Sequence, residues 1–173
     1  MTTPSAVSEP DRQLGDSKEL LLGYLDYYRS AVARKVHGLA EDDLRGTRLP
    51  SGWSPLEMLK HLVYMERRWL EWGVAGRPVD EPWGDRGPDG RWAVDADESV
   101  DDLIARLHAG GERTRQIVET ASLADLAATG GRFGDDEPPP TLGWILFHVL
   151  QEYARHAGHL DVVRELIDGS VGE

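Results

Sequence analysis

Glu152 and His156 lie four residues apart in the stretch TLGWILFHVLQEYARHAGHLDVVRELID, near the end of the sequence. Side chains at this spacing lie one above the other on a helix, so both could reach a single metal ion. At about 100° per residue, His156 falls inside the apolar stripe of the stretch and Glu152 at its edge. A carboxylate that faces a core is costly unless it is paired or binds a metal. The same pattern also fits a Glu152–arginine salt bridge beside a hydrogen-bonded core histidine.

A third candidate ligand, His61, comes from a different predicted helix. Ser54, Pro55 and Glu57 form a capping box with proline in the first turn, which predicts a helix from there to about Val74. His61 falls in the middle of the apolar stripe of this helix. With the pair above it would complete a set of two imidazoles and one carboxylate, which suits zinc, nickel or another divalent transition ion. Three protein ligands leave one coordination position open, as in catalytic sites.

The other histidines have weaker claims to a role. His148 and His159 fall just outside the apolar stripe, beside the candidate ligands. Either could hydrogen-bond a ligand or move a proton, or be a polar residue at the edge of the protein core. His37 falls in the last turn of the first predicted helix, where it would interact with the helix dipole, and His108 is expected at the surface.

Four amphipathic helices are predicted to position these residues, and no stretch alternates long enough to form a strand. They run from Asp16 to about His37, from Ser54 to about Val74, from Ser99 to about Ala121 and from Thr141 to Asp168, with Gly169 as the stop. A short turn is expected at Glu41–Arg45, and Gly110 and Gly111 could bend the third helix. The predicted fold is all-α, an antiparallel four-helix bundle with long crossover connections.

The sequence divides into a flexible tail at residues 1–14 and a single helical domain at residues 15–173. The long connection at residues 75–97 contains Trp83 and Trp92, which could cover a pocket or only the helices. We find no apolar run of membrane-spanning length and no signal peptide, so no membrane contact and a cytoplasmic location are expected.

Charge and cysteine content exclude several classes of function. The net charge of −12 argues against nucleic acid as a partner and therefore against a DNA-directed nuclease. The chain has no cysteine, which excludes disulfides, thiolate metal ligands and a cysteine nucleophile. If thiol chemistry occurs, the thiol must belong to a substrate.

The stretches GYLDYYRSAVARKVHGL, LPSGWSPLEMLKHLVYMERRWLE and RHAGHLDVVRELIDG resemble the DinB-like superfamily. More narrowly, they are similar to its actinobacterial mycothiol-dependent branch, the mycothiol S-transferases related to the metal-binding domain of mycothiol-dependent maleylpyruvate isomerase. The similarity extends from Leu14 to Gly169, and its most specific parts are the K-H-L of the second helix and the H-A-G-H-L-D of the fourth. It implies an up-down-down-up bundle with a divalent ion, most often zinc, at His61, Glu152 and His156.

The resemblance implies a metal-dependent S-transferase that acts in detoxification or secondary metabolism. The thiol of mycothiol would take the open metal position, have its pKa lowered and attack a small electrophile. Asp161 and Arg164 belong to the similarity and could contact a sugar or ligand, or form salt bridges. Many relatives have histidine where this chain has Glu152, whereas the isomerase-like form has glutamate. Because the isomerase has a further C-terminal domain and this chain ends at Glu173, maleylpyruvate isomerisation is not expected.

A second interpretation belongs to another class: a metal-binding stress protein without catalysis, or a dimeric interaction module with the same helices. A solvent-reachable open metal position and thiol-dependent turnover would favour the transferase. A saturated site, or one closed by the connection at residues 75–97, would favour the second interpretation. A homodimer is compatible with either.

Overall fold

The computed structural model describes residues 7–172, so residues 1–6 of the predicted flexible tail lie outside the described residues. Within that range the regular structure is helical, with isolated β-bridges but no β-strand, which confirms the all-α prediction. The helices are α1 (Ser17–Val36), α2 (Glu41–Arg45), α3 (Pro55–Trp69), a π-helical turn (Leu70–Val74), α4 (Val100–Val118) and α5 (Leu142–Asp168).

Capping chemistry explains where the helices begin and end. Ser54 Oγ accepts a hydrogen bond from the Glu57 amide (3.3 Å), and the Glu57 carboxylate accepts one from the Ser54 amide (2.7 Å). These are the two reciprocal bonds of the predicted capping box. Thr141 caps α5, and Gly169 ends it at φ 76°, a left-handed conformation that glycine adopts without strain. The predicted starts therefore hold for both helices that carry the candidate ligands, as does the end of α5, whereas α3 ends at Trp69 and continues to Val74 as a π-helical turn.

The four long helices share one apolar core. Helix α1 packs against α4 and α5, and α3 packs against the same two helices. The fully buried side chains include Leu25, Leu59, Leu62, Leu107, Ile145 and Val149. None of the helices in the described range combines the length and the apolarity that crossing a membrane requires.

A buried polar network connects all four long helices through Glu66 of α3. Its carboxylate accepts hydrogen bonds from Arg29 Nε of α1 (2.9 Å), Thr114 Oγ1 of α4 (2.5 Å) and the Tyr153 hydroxyl of α5 (2.6 Å). Burial alone would raise the pKa of Glu66, but the Arg29 charge and these hydrogen bonds lower it below its ordinary value. The network therefore holds an ionised carboxylate inside the core.

Helix α4 is continuous through Gly110 and Gly111 and ends at Val118, about one turn earlier than expected. A Cβ at Gly111 would lie 3.1 Å from the Arg29 guanidinium, whereas one at Gly110 would have no neighbour closer than 3.9 Å. Gly111 therefore leaves room for the buried Arg29 side chain. This packing requirement explains why glycine occurs here although it lowers the stability of a helix.

Candidate metal centre

Helices α3 and α5 bring the three predicted ligands together. One ligand atom from each of His61, Glu152 and His156 lies within 4.8 Å of the others. Glu152 Oε2 is 3.8 Å from His61 Nε2 and 3.3 Å from His156 Nε2. Glu152 and His156 share a face of α5 because they are one turn apart. His61 faces them from the buried side of α3.

This cluster fits a divalent transition ion. Ligand atoms bonded at about 2.0–2.2 Å in a tetrahedron lie about 3.3–3.6 Å apart, close to the two measured distances. Two imidazoles and one carboxylate match the donor preference of such ions. The two imidazoles, His156 first and His61 second, hold the pKa of Glu152 well below its ordinary value, so this carboxylate is ionised at neutral pH. The cluster could therefore hold a metal ion.

Asp85, from the connection before α4, determines the orientation of His61. Its Oδ2 lies 3.0 Å from His61 Nδ1, and its carboxylate accepts two hydrogen bonds from Arg68 of α3 (2.6 and 3.0 Å). Burial would raise the pKa of Asp85, but the bonds from His61 and Arg68 lower it below its ordinary value. An ionised carboxylate only accepts, so His61 Nδ1 carries a proton, and Nε2 is the nitrogen that faces Glu152 and would bind a metal ion.

The second imidazole has a comparable partner. His159 Nδ1 lies 3.4 Å from His156 Nδ1, on the side of the ring away from Glu152. Burial, followed by the nearby charges of His156 and Arg155, lowers the pKa of His159. An unprotonated Nδ1 of a neutral His159 can accept a hydrogen bond from a protonated Nδ1 of His156, which leaves His156 Nε2 free to bind a metal.

The connection at residues 75–97 packs against the centre through one of its two tryptophans. Trp92 stacks on His61 with ring centroids 4.1 Å apart and lies edge-on to His156 at 5.5 Å. Only 8% of the surface of each of these histidines is exposed. Trp83 instead lies at the surface, between the guanidinium groups of Arg68 and Arg86. The connection thus covers one side of the candidate ligands.

The remaining predicted site residues have packing or ion-pair partners outside the three ligands. His148 packs against both Trp69 and Trp144, with ring centroids at 4.4 and 5.2 Å. Asp161 forms an ion pair with Lys35 of α1. Arg164 pairs with Asp168 (2.7 Å) and donates to the carbonyl oxygens of residues 35 and 37, at the end of α1. Asp161 and Arg164 therefore join α5 to α1, and their proposed ligand contacts stay a prediction.

Sequence reasoning missed Asp85 and Arg68, and it named Trp92 without identifying the residue on which it packs. Asp85 lies in a stretch without helical or strand periodicity, 24 residues after its partner His61. Periodicity identifies the face of a helix, but it carries no information about which loop residue packs there. The length of the connection at residues 75–97 and its tryptophans indicated that it packs on the helices. They did not identify the helix residues that it contacts.

The sequence model of a known protein family matches most of the chain. The family described as Mycothiol-S-transferase has a sequence model that matches residues 20–169, a range that contains all three candidate ligands. A comparison with curated proteins gives no match. Since the family model covers most of the sequence, the chain belongs to the mycothiol S-transferase family.

Proposed function

We propose that this protein is a metal-dependent S-transferase that joins mycothiol to a small electrophile. The observation that carries the proposal is the convergence of His61, Glu152 and His156 in a chain of the mycothiol S-transferase family. The family name indicates mycothiol as the thiol. The two imidazoles and one carboxylate support a divalent ion, which we propose to be zinc. We also propose that residues 15–173 form one antiparallel four-helix bundle with crossover connections, and that the protein acts in detoxification in the cytoplasm.

When bound by these three residues, the ion would supply a Lewis acid that lowers the pKa of a thiol. The chain contributes the geometry: Asp85 and His159 hold the two imidazoles, and Glu152 supplies a negative charge. Trp92 excludes water from the face of His61. In the transfer, the thiol gives up its proton to solvent and its sulfur forms a bond to the electrophilic carbon. The leaving group departs with the electron pair of the broken bond.

One observation favours a second candidate, a metal-binding protein without catalysis. Trp92 lies directly on His61, and the two histidines are almost completely buried. A site covered in this way could hold an ion as a structural element only. Turnover separates the two candidates, since both require the same ligands.

Elemental analysis of purified protein tests the ligand set. We expect about one divalent ion per chain in the wild type, and its loss in His61→Ala and in His156→Ala. His37→Ala and His108→Ala are matched controls that should keep the ion. An ion retained in His156→Ala, or lost in either control, would show that the ligands are misassigned.

Thiol consumption with mycothiol and an alkyl halide then tests catalysis. The transferase requires turnover that depends on the ion and is absent from His61→Ala. Full occupancy without turnover would favour the non-catalytic candidate. A wild type that binds no ion, even after zinc or nickel is added, would contradict both.

A further inference from the structure

A cavity of about 320 Å³ lies beside the candidate metal centre, between the connection before α4 and the segment that leads into α3. Its volume is within the range of sites that bind small molecules. Trp53 and Trp92 are two of its walls. Trp92 also stacks on His61, and the Trp53 ring centroid is 6.2 Å from that of His159. Trp92 therefore borders both the cavity and the cluster.

Two arginines and one glutamate line the cavity, so its charged lining carries one net positive charge in a chain whose net charge is −12. Arg86 and Arg91 both line it, and among residues 7–172 neither guanidinium has a carboxylate oxygen within ion-pair distance. Arg86 lies over the Trp83 ring at 4.6 Å. The acidic lining residue, Glu57, accepts a hydrogen bond from the Ser54 amide as part of the α3 capping box. The two arginines are thus available to a ligand.

The Arg91 guanidinium is held in place across the cavity. It donates to the Ser51 carbonyl oxygen (3.2 Å) and lies over Gly52, whose φ is 80°. A Cβ at Gly52 would lie 2.6 Å from Arg91 Nη2, so glycine lets the guanidinium lie there without a shift, and the positive φ also favours glycine.

We propose that this cavity binds the electrophilic cosubstrate, and that the cosubstrate is a small carboxylate with an apolar body. Its carboxylate pairs with Arg86 and Arg91 through charge-assisted hydrogen bonds, and its apolar part packs on Trp53 and Trp92. This inference rests on the proposed function and identifies the class of substrate that the transferase accepts.

Calorimetric titration with two unreactive probes tests the binding claim without turnover. p-Toluate and p-toluamide share a ring and differ in charge. We expect the metal-loaded wild type to bind p-toluate about tenfold more tightly, because two guanidinium groups stabilise the carboxylate. The double variant Arg86→Gln/Arg91→Gln should lose this preference. Equal affinity for the two probes, or a preference that survives the double variant, would overturn the proposal.

The double variant Arg12→Gln/Arg77→Gln is the matched control. Both arginines are exposed and lie outside the cavity. Their replacement removes two positive charges, as the cavity variant does. This control should keep the wild-type preference. If it loses the preference to the same extent as the cavity variant, the effect is that of overall charge and the proposal fails.

Turnover with 4-(chloromethyl)benzoate and 4-(chloromethyl)benzamide links the cavity to the reaction. A thiol displaces chloride from either compound to give a thioether, and the chain has no cysteine that would consume the reagent. We expect about tenfold higher kcat/KM for the benzoate in the wild type and similar values in the double variant. A faster benzamide would overturn the inference while leaving the transferase intact. No conjugation of either compound would contradict the transferase, and the calorimetry would still decide the binding claim.

Discussion

At the scale of single residues, the centre depends on the partners of its histidines. Asp85 holds His61, and Arg68 holds Asp85 through two further hydrogen bonds. Such partners fix the tautomer of an imidazole and increase its affinity for a metal. The candidate ligands could be predicted because helical spacing places them on inward faces. Asp85 could not, because its place is determined by how a loop packs.

Asp85→Asn should weaken zinc binding about 10- to 100-fold, because an amide is a weaker acceptor for the imidazole N–H and leaves Arg68 without a counter-charge. Competition with a chromogenic chelator measures the affinity. Asp80→Asn, an exposed change in the same connection, should leave the affinity unchanged. If Asp85→Asn binds zinc as tightly as the wild type does, Asp85 has no role in the site.

At the scale of elements, the two adjacent glycines of α4 have different environments. Both lie in a continuous helix, where glycine costs about 1 kcal/mol relative to alanine. Gly111 contacts the Arg29 guanidinium, which the bonds to Glu66 and Asp26 hold in place. Gly110 has space around it. The sequence shows only the pair and its low helix propensity, which is why a bend was the natural expectation.

Gly110→Ala should raise the free energy of unfolding by about 0.5–1 kcal/mol, since it adds helix propensity at no steric cost. Gly111→Ala should lower it by about 1–3 kcal/mol, because its new methyl group would displace the buried arginine. Urea titrations of both variants measure the difference. Equal stabilisation by both substitutions would show that Arg29 moves freely.

At the scale of the whole molecule, Glu66 joins all four long helices at one point inside the core. Removing one partner of a buried ion pair leaves an uncompensated charge. Helix ends and apolar stripes could be predicted from local sequence, since caps and periodicity act over a few residues. The network could not, because the partners of Glu66 lie 37, 48 and 87 residues away.

Glu66→Gln should lower the free energy of unfolding by about 3–5 kcal/mol at neutral pH, because it leaves the Arg29 charge buried without its partner. Glu71→Gln is the control: this carboxylate pairs with the more exposed Arg113, so its loss should cost less than about 1 kcal/mol. Chemical denaturation gives both values. A loss of similar size in the two variants would mean that the buried pair contributes no more than a surface pair.

The same carboxylate makes stability depend on pH. The pKa of Glu66 is lowered in the folded state, so its contribution is complete above the ordinary value of 4.5 and is lost as pH falls through the folded-state pKa. We expect the wild type to lose stability steeply below about pH 4.5, and Glu66→Gln to show a shallower slope there. Denaturation between about pH 3 and about pH 7 measures both curves. Parallel curves would assign acid sensitivity to other groups.

The packing of residues 83–93 on His61 has a thermodynamic consequence. On the proposed ligand set, an ion binds better when Asp85 has already oriented the imidazole, and by reciprocity an ion that binds stabilises the docked connection. The Ala93 amide donates to the Asp85 carbonyl oxygen (3.0 Å), so its hydrogen exchanges with solvent only when this segment opens. The exchange rate of the Ala93 amide thus reports the metal occupancy of the site. This measurement requires no knowledge of the substrate.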